Sequence, residues 1–153
     1  MSAETRLAEL GLRLPTVPTP VACYVNAVRT GNLLFVSGGL PFDPERRCNG
    51  KVPSQVPVPL AREAARRVIL DRLAVIRHEL GSLDKVTRIV SVQGFVNSDP
   101  DFGEQPMVIN GASELLIEIF GEKIGRHSRV SVGAASLPLH VAVEIALVLE
   151  VAD

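Results

Sequence analysis

Two charged side chains interrupt a C-terminal segment, Arg129–Val151, that is otherwise typical of apolar β-strands. Arg129 begins RVSVGAAS, and Glu144 lies inside HVAVEIALVLEV. Charges held in a sheet need either each other or a ligand, because an unpaired buried charge is costly. Arg129 and Glu144 therefore form a structural ion pair across adjacent strands, or they face a ligand. An arginine suits an anionic ligand, because its planar fork gives a carboxylate two hydrogen bonds.

Two strands joined by a turn at Leu137-Pro138 must position these charges. Side chains alternate between the faces of a strand, so one face of the last strand is the expected core face: Val141, Val143, Ile145, Leu147, Leu149 and Val151. The opposite face holds Glu144 among small apolar residues and is too apolar for a solvated surface. We expect other subunits to cover it, which predicts a homo-oligomer.

The rest of the chain predicts a layer of helices on this sheet. Hydrophobic periodicity and turn residues predict helices at 3–10, 59–80 and about 105–120, and strands at 21–28, 32–37 and 85–97. A hairpin turn is expected at 29–31, and 41–58 forms a long loop. One side of the 59–80 helix is expected to be solvated and carries Arg62, Glu63, Arg66, Arg67, Arg72 and Arg77. The order favours one α+β domain over residues 1–153, with a mixed sheet and both main helices on one face.

Composition argues against several classes of protein. The chain has 16 basic and 17 acidic residues and a net charge of −1, so the basic excess of a nucleic-acid binder is missing. No apolar run reaches membrane-spanning length, and the N-terminus lacks a signal-peptide core. Cys23 and Cys48 lie in different contexts, and the three histidines lack metal-ligand spacing. The sequence predicts a cytoplasmic protein without a metal site or a disulfide framework.

Four motifs, taken in order and spacing, resemble the RidA family, also called YjgF/YER057c/UK114 or L-PSP. They are CYVNAVRTGNLLFVSGGLP, then a long helix followed by ELGSLDKV, then a helix containing QPMVINGAS, and finally GRHSRVSVGAASLPLHVAVEI. The third motif is similar to the longer subgroup with a QPxVINGAS pattern. The resemblance covers nearly the whole chain. It implies a chorismate-mutase-like fold and a homotrimer with ligand sites in the clefts between subunits.

The same resemblance implies an enamine/imine deaminase that needs no metal or cofactor and hydrolyses 2-imino acids to 2-keto acids and ammonia. Arg129 would bind the substrate carboxylate, and Glu144 would help to place the attacking water. The positions expected to line the pocket with Arg129 are Tyr24, Ser37, Gly38, Asn110 and Ser131. Arg129, Ser131 and Glu144 are expected to form one wall of the cleft.

Each of these residues also has a purely structural interpretation. Tyr24 is then a core or interface aromatic, Ser37 ends a strand, and His127 caps the turn before Arg129. This chain departs from the active deaminases at two positions. It has Ser131 where they usually have cysteine, and Gly39 where they often have glutamine. These departures favour a second function, a non-catalytic trimer that binds small carboxylates or other metabolites. A third function, an endoribonuclease or translation inhibitor, is disfavoured by the neutral charge and scarce aromatics.

Overall fold

A five-stranded mixed sheet organises the protein in the computed structural model, which describes residues 1–41 and 43–153. The described elements are α1 (Ala3–Glu9), β1 (Ala27–Thr30), β2 (Leu33–Gly39), α2 (Val58–Leu80), β3 (Val86–Asn97), α3 (Gln105–Gly125), β4 (Ser128–Ala134) and β5 (Val143–Val151). The strand order is β1-β2-β5-β3-β4. Neighbouring strands are antiparallel except β3 and β4, which run parallel. β5 is therefore the central strand.

The helix boundaries follow local signals. The Ser2 hydroxyl accepts a hydrogen bond from the Thr5 backbone and starts α1. Pro59 occupies the first turn of α2, where its missing N–H removes no helical bond. Gly81, at a φ of 81°, ends α2 in the left-handed conformation, and Gly121, at a φ of 75°, interrupts α3. The predicted helices therefore agree closely with those observed.

Helices α2 and α3 pack on one face of the sheet, and α1 packs against α3. The covered face supplies the core, in which Ile145, Leu147 and Leu149 of β5 are fully or almost fully buried. The opposite face is open and apolar, with the exposed side chains Val28, Phe35, Val130 and Val132. The predicted α+β arrangement is confirmed. Within the described residues, no helix has the length and apolarity needed to cross a membrane.

The first predicted strand, 21–28, is mostly wrong. β1 begins only at Ala27, and the chain before it forms a series of bends. Hydrogen bonds from side chains, rather than backbone pairing with a neighbouring strand, hold this segment. The Asn26 amide donates to the Pro18 carbonyl at 2.7 Å, and the Ser37 hydroxyl donates to the Val25 carbonyl at 2.7 Å. The hairpin turn falls at Gly31-Asn32, slightly later than the predicted turn at 29–31.

The predicted loop at 41–58 ends at Pro57, since α2 begins at Val58, and its described residues lack regular structure but are anchored to the sheet. Asn49 bridges to Val141, and Val52 bridges to Ser98. Cys48 and Val52 are fully buried, so this loop contributes to the core. It also buries the chain leading into β5, because the Ala142 backbone donates to the Cys48 carbonyl at 2.8 Å.

Candidate functional site

Arg129 lies at the exposed edge of the sheet and points toward α3. Its partner in β3 is Val92, a core residue, so the arginine shares the helix-covered face. Its guanidinium donates to Asn110 Oδ1 at 2.9 Å, Ser113 Oγ at 3.1 Å and the Pro106 carbonyl at 3.4 Å. These acceptors are all neutral. In the described chain no carboxylate pairs with Arg129, and its half-buried position lowers the pKa of its guanidinium.

The groove around Arg129 has a volume of about 260 Å³ and is lined by Asn110, Ser113, Ile117, Arg126, His127 and Arg129. Arg126 is paired with Glu122, so its charge is already balanced. Arg129 is thus the unpaired cation of the groove among the described residues. A positive fork held by neutral groups is suited to binding an anion such as a carboxylate. The predicted proximity of Arg129 and Asn110 is found in the structure.

A directed set of hydrogen bonds orients this arginine. His127 Nδ1 lies 2.6 Å from the Gly125 carbonyl, which can only accept, so Nδ1 carries the proton. In the neutral ring Nε2 then accepts from the Ser113 hydroxyl at 2.8 Å, which leaves Ser113 Oγ free to accept from Arg129. Sequence reasoning missed Ser113. Its spacing of three residues from Asn110 on a helix was the available signal, since such residues share a face.

We expect the stability of the protein to depend on the charge of His127. Burial lowers the pKa of this imidazole; the hydrogen bond to Gly125 opposes the effect, and the charge of Arg129 adds to it. Below the ordinary pKa of about 6.5 the unfolded chain then binds more protons than the folded one. The contribution of neutral His127 to the free energy of unfolding should therefore be at its maximum above about pH 6.5. It should be lost as the pH falls from there through the lowered pKa. Urea unfolding of wild type and His127→Asn at pH 7.5 and 5.5 tests this.

The matched control for this titration is His140→Asn, which removes an exposed histidine near the turn before β5. Wild type and His140→Asn should lose stability between the two pH values, and His127→Asn should lose less. Equal losses in all three proteins would show that His127 does not titrate in this way.

A second cavity, of about 210 Å³, lies at the other end of the strand order, beside β2. Tyr24, which is 44% exposed, and Gly38 both line it, so within one chain they lie apart from the Arg129 groove that they were expected to line. Ser37 does not line it, which corrects the prediction. Its hydroxyl is engaged by Val25, and its carbonyl accepts a hydrogen bond from Arg72 at 2.8 Å. Ser37 therefore supports this cavity from behind.

Glu144 faces the open side of the sheet. Its partner in β3 is Phe95, which in turn pairs with the exposed Val132 of β4. The carboxylate lies against Gly38, where an added Cβ would be 3.0 Å from Glu144 Cδ. Burial raises the pKa of Glu144, and the positive charge of Arg72 opposes that rise.

Two expectations for these charges are wrong. Arg129 and Glu144 lie on opposite faces, and β3 separates their strands, so they form neither an ion pair nor one wall of a cleft. Ser131 also does not line the Arg129 groove. It pairs with Gly94, which packs against Ile109 of α3, and Ser131 Oγ is buried without a hydrogen-bond partner in the described chain.

Arg72 was expected on the solvated side of α2 but is only 3% exposed. Its guanidinium pairs with the buried Asp71 at 2.6 Å and lines the Tyr24 cavity. The signal was present in the sequence: Arg72 is four residues from both Val68 and Ile76, which are core residues on the same helical stripe.

The candidate residues thus form two separate groups. Arg129 and Asn110 lie at the β4 edge, whereas Tyr24, Gly38 and Glu144 lie toward the β2 side. In the part of the chain that the structure describes, no three His, Cys, Asp or Glu side chains cluster closely enough to hold a metal ion.

The fold and these two groups define an α+β protein of the chorismate-mutase-like class. A family model described as "YjgF/chorismate_mutase-like, putative endoribonuclease" matches residues 4–151. The chain therefore belongs to the YjgF family, as its motifs predicted.

Relatives with high coverage support this assignment. Protein TCP17 of Trypanosoma cruzi is 41% identical over 94% of this chain and 91% of its own. The crystal structure of Atu1372 from Agrobacterium tumefaciens, of unknown function, has 42% identity and a TM-score of 0.86, covering 97% of this chain and 91% of that one. A structure from Shewanella oneidensis MR-1 has 30% identity and a TM-score of 0.93 and covers 99% and 100%.

Proposed function

We propose that the protein is an enamine/imine deaminase that hydrolyses 2-imino acids to 2-keto acids and ammonia. The observation that carries the proposal is Arg129, a half-buried cation held in a groove by the neutral acceptors of Asn110, Ser113 and Pro106. A ligand carboxylate would gain charge-assisted bonds there without displacing an ion-pair partner. The resemblance of the chain's motifs to the RidA family also supports this function.

The reaction needs only modest catalytic assistance from the protein. Water adds to the C=N carbon, a proton moves from oxygen to nitrogen, and the C–N bond breaks to give a ketone and ammonia. Arg129 would fix the substrate carboxylate, and Glu144, as a carboxylate, would orient the water and shuttle its proton. Imines hydrolyse readily in water, so positioning and modest acid-base assistance are sufficient.

We further propose that the site forms between copies of the chain in a homotrimer. The Arg129 group and the Glu144 group cannot meet within one chain, because they lie on opposite faces with β3 between their strands. A head-to-tail ring would place the β4 edge of one copy beside the β2 side of the next. It would also cover the open face, where Phe35, Val130 and Val132 are 45–51% exposed.

The enzyme would act in the cytoplasm on imines made by other enzymes. Both cysteines are free, which suits a reducing compartment. The direct test is an assay in which an amino-acid oxidase generates the imine in situ and keto-acid release is followed. Faster release with the protein than without it is expected. Equal rates with and without the protein, for imines derived from alanine, leucine and phenylalanine alike, would reject the proposal.

Sharing of the site predicts complementation between two inactive variants. Arg129→Ala and Glu144→Gln should each be inactive, but co-expressed chains should recover about a quarter of wild-type activity. In a random ring with heterologous interfaces, about one interface in four joins an intact Arg129 to an intact Glu144. The measurement is imine hydrolysis by purified mixed trimers, with doubly substituted chains mixed with each variant as the control. No recovery in verified mixed trimers would reject a site shared by Arg129 of one chain and Glu144 of the next.

A second function, carboxylate binding without turnover, is favoured by one observation. Ser131 Oγ is buried without a partner and contributes nothing to the Arg129 groove. The groove then lacks a reactive side chain beside the arginine apart from the neutral His127. Thermal shifts on adding 2-keto acids, together with no imine hydrolysis, would support this function over catalysis.

A further inference from the structure

The end of β2 is a thin segment of backbone between two charged side chains. The pairing of β2 with β5 shifts register between Val36 and Gly39, so Gly38 and Gly39 lie at an irregularity of the β-bulge type. A Cβ at Gly39 would lie 2.7 Å from Arg72 Cδ and 3.0 Å from Arg72 Cζ. On the other side, a Cβ at Gly38 would overlap the Glu144 carboxylate. Both glycines are needed for Arg72 and Glu144 to approach the same stretch of backbone.

Arg72 is fixed by contacts on two elements. Its Nε and Nη2 donate to Asp71 Oδ2 at 3.2 and 2.6 Å, and its Nη1 donates to the Ser37 carbonyl at 2.8 Å. Asp71 and Arg72 are only 6% and 3% exposed, so water competes little for these bonds. Burying an ion pair stabilises little by itself. Its geometry, however, fixes the carbonyl that directly precedes Gly38.

We propose that Arg72 is a positioning residue of the catalytic site, which holds the Ser37–Gly39 backbone and thereby sets the place of Glu144. The inference rests on the proposed function. The contacts run from α2 through Arg72 to the Ser37 carbonyl, and from Gly38 to Glu144. The same strand end forms the wall of the Tyr24 cavity. Arg72 touches neither substrate nor water in this scheme, and it acts only through Glu144.

The charges around Glu144 agree with this role. Arg72, across the β2 backbone, is the cation whose charge lowers the pKa of Glu144, and its pairing with Asp71 offsets part of that charge. β2 carries no titratable side chain between Leu33 and Gly39, and the partner residue in β3 is Phe95. Burial alone would favour the protonated acid, so Arg72 helps keep Glu144 a carboxylate.

The test removes the buried pair as a unit, because deleting Arg72 alone would leave Asp71 buried and unpaired. In Asp71→Asn/Arg72→Gln, ¹³C NMR should show the Glu144 carboxyl titrating at a higher pH than in wild type. The acid limb of kcat/KM against pH should move the same way. At neutral pH kcat should fall roughly tenfold while KM changes little, because Arg129 still binds the carboxylate.

Two further variants make the result specific. Arg72→Lys keeps the charge beside Asp71, so Glu144 should titrate as in wild type rather than as in the double variant. It loses, however, the planar fork that holds Ser37. Arg66→Gln removes a more exposed arginine of α2 that pairs with Glu118, and it should leave the titration and kcat unchanged.

The titration needs no substrate, so it separates the two proposals. An unshifted Glu144 titration in the folded double variant would overturn the role of Arg72 even if wild type is an active deaminase. A shifted titration in a protein without imine hydrolysis would support that role and reject the proposed function. If the double variant does not fold, Arg72→Lys decides: unchanged kcat and unchanged Glu144 chemical shifts would overturn the proposal.

Discussion

Replacing Arg129 with alanine is expected to lower kcat/KM for a 2-imino acid by about 10²- to 10⁴-fold. Two charge-assisted hydrogen bonds to a carboxylate contribute roughly 1.5–3 kcal/mol each, and about 1.4 kcal/mol corresponds to a factor of ten. Arg129→Lys should fall between alanine and wild type, because an ammonium keeps the charge but not the planar fork. Steady-state imine hydrolysis by the three proteins measures the effect.

This loss should appear without a large loss of stability. The partners of Arg129 in the chain are the neutral acceptors of Asn110, Ser113 and Pro106 beside an open groove, where water can replace the guanidinium. The matched control is Arg88→Ala, which removes an exposed arginine of β3 that donates to the Lys123 carbonyl. Activity of Arg129→Ala equal to that of Arg88→Ala would remove Arg129 from the mechanism.

The sequence predicts the secondary structure well where periodicity is strong. The stripe of α2 and the alternation of β5 each report which side of an element is buried, and both are observed. The proximity of Arg129 and Asn110 was expected only from the family resemblance. The prediction of the carboxylate-binding part of the site therefore depended on a pattern that spans the whole chain rather than on any local signal.

Strand pairing is what the local pattern could not supply. β4 and β5 follow each other in sequence, yet β5 inserts between β2 and β3, and β4 pairs with β3 in parallel. Alternation fixes which residues of one strand share a face, but it does not relate the faces of two strands that are not neighbours. For this reason Arg129 and Glu144 were assigned to one wall although they face opposite sides.

The prediction that Arg72 lies on the solvated side of α2 was wrong for a different reason. Its charge suggested solvent, whereas its position four residues from Val68 and Ile76 indicated the core. Helical position determined the outcome because Asp71 and the Ser37 carbonyl satisfy the guanidinium inside the protein. Gly39 has a matching explanation, since a side chain at this position would collide with Arg72.

Gly111 is expected to be the residue whose enlargement most destabilises the fold. It lies fully inside the contact between α2 and α3, where an added Cβ would overlap the backbone carbonyl oxygen of Arg62 and lie 3.0 Å from its carbonyl carbon. A backbone carbonyl cannot rotate away as a side chain can, so the two helices must separate. Overpacking of this kind costs about 1–3 kcal/mol and occasionally more. Gly111→Ala should therefore lower the free energy of unfolding by about 2–3 kcal/mol, or Tm by about 5–10 °C.

The sign of this change distinguishes packing from helix propensity. Alanine is favoured over glycine inside a helix by about 1 kcal/mol, so without a clash Gly111→Ala would stabilise the protein. Gly103→Ala is the matched control, because an added Cβ there meets nothing within 4 Å and the loop before α3 tolerates it. Urea unfolding at one fixed protein concentration should show a loss in the first variant and little change in the second. A stabilised Gly111→Ala would mean that α2 and α3 can separate freely, and Asn110 would then lose the rigid support that holds it beside Arg129.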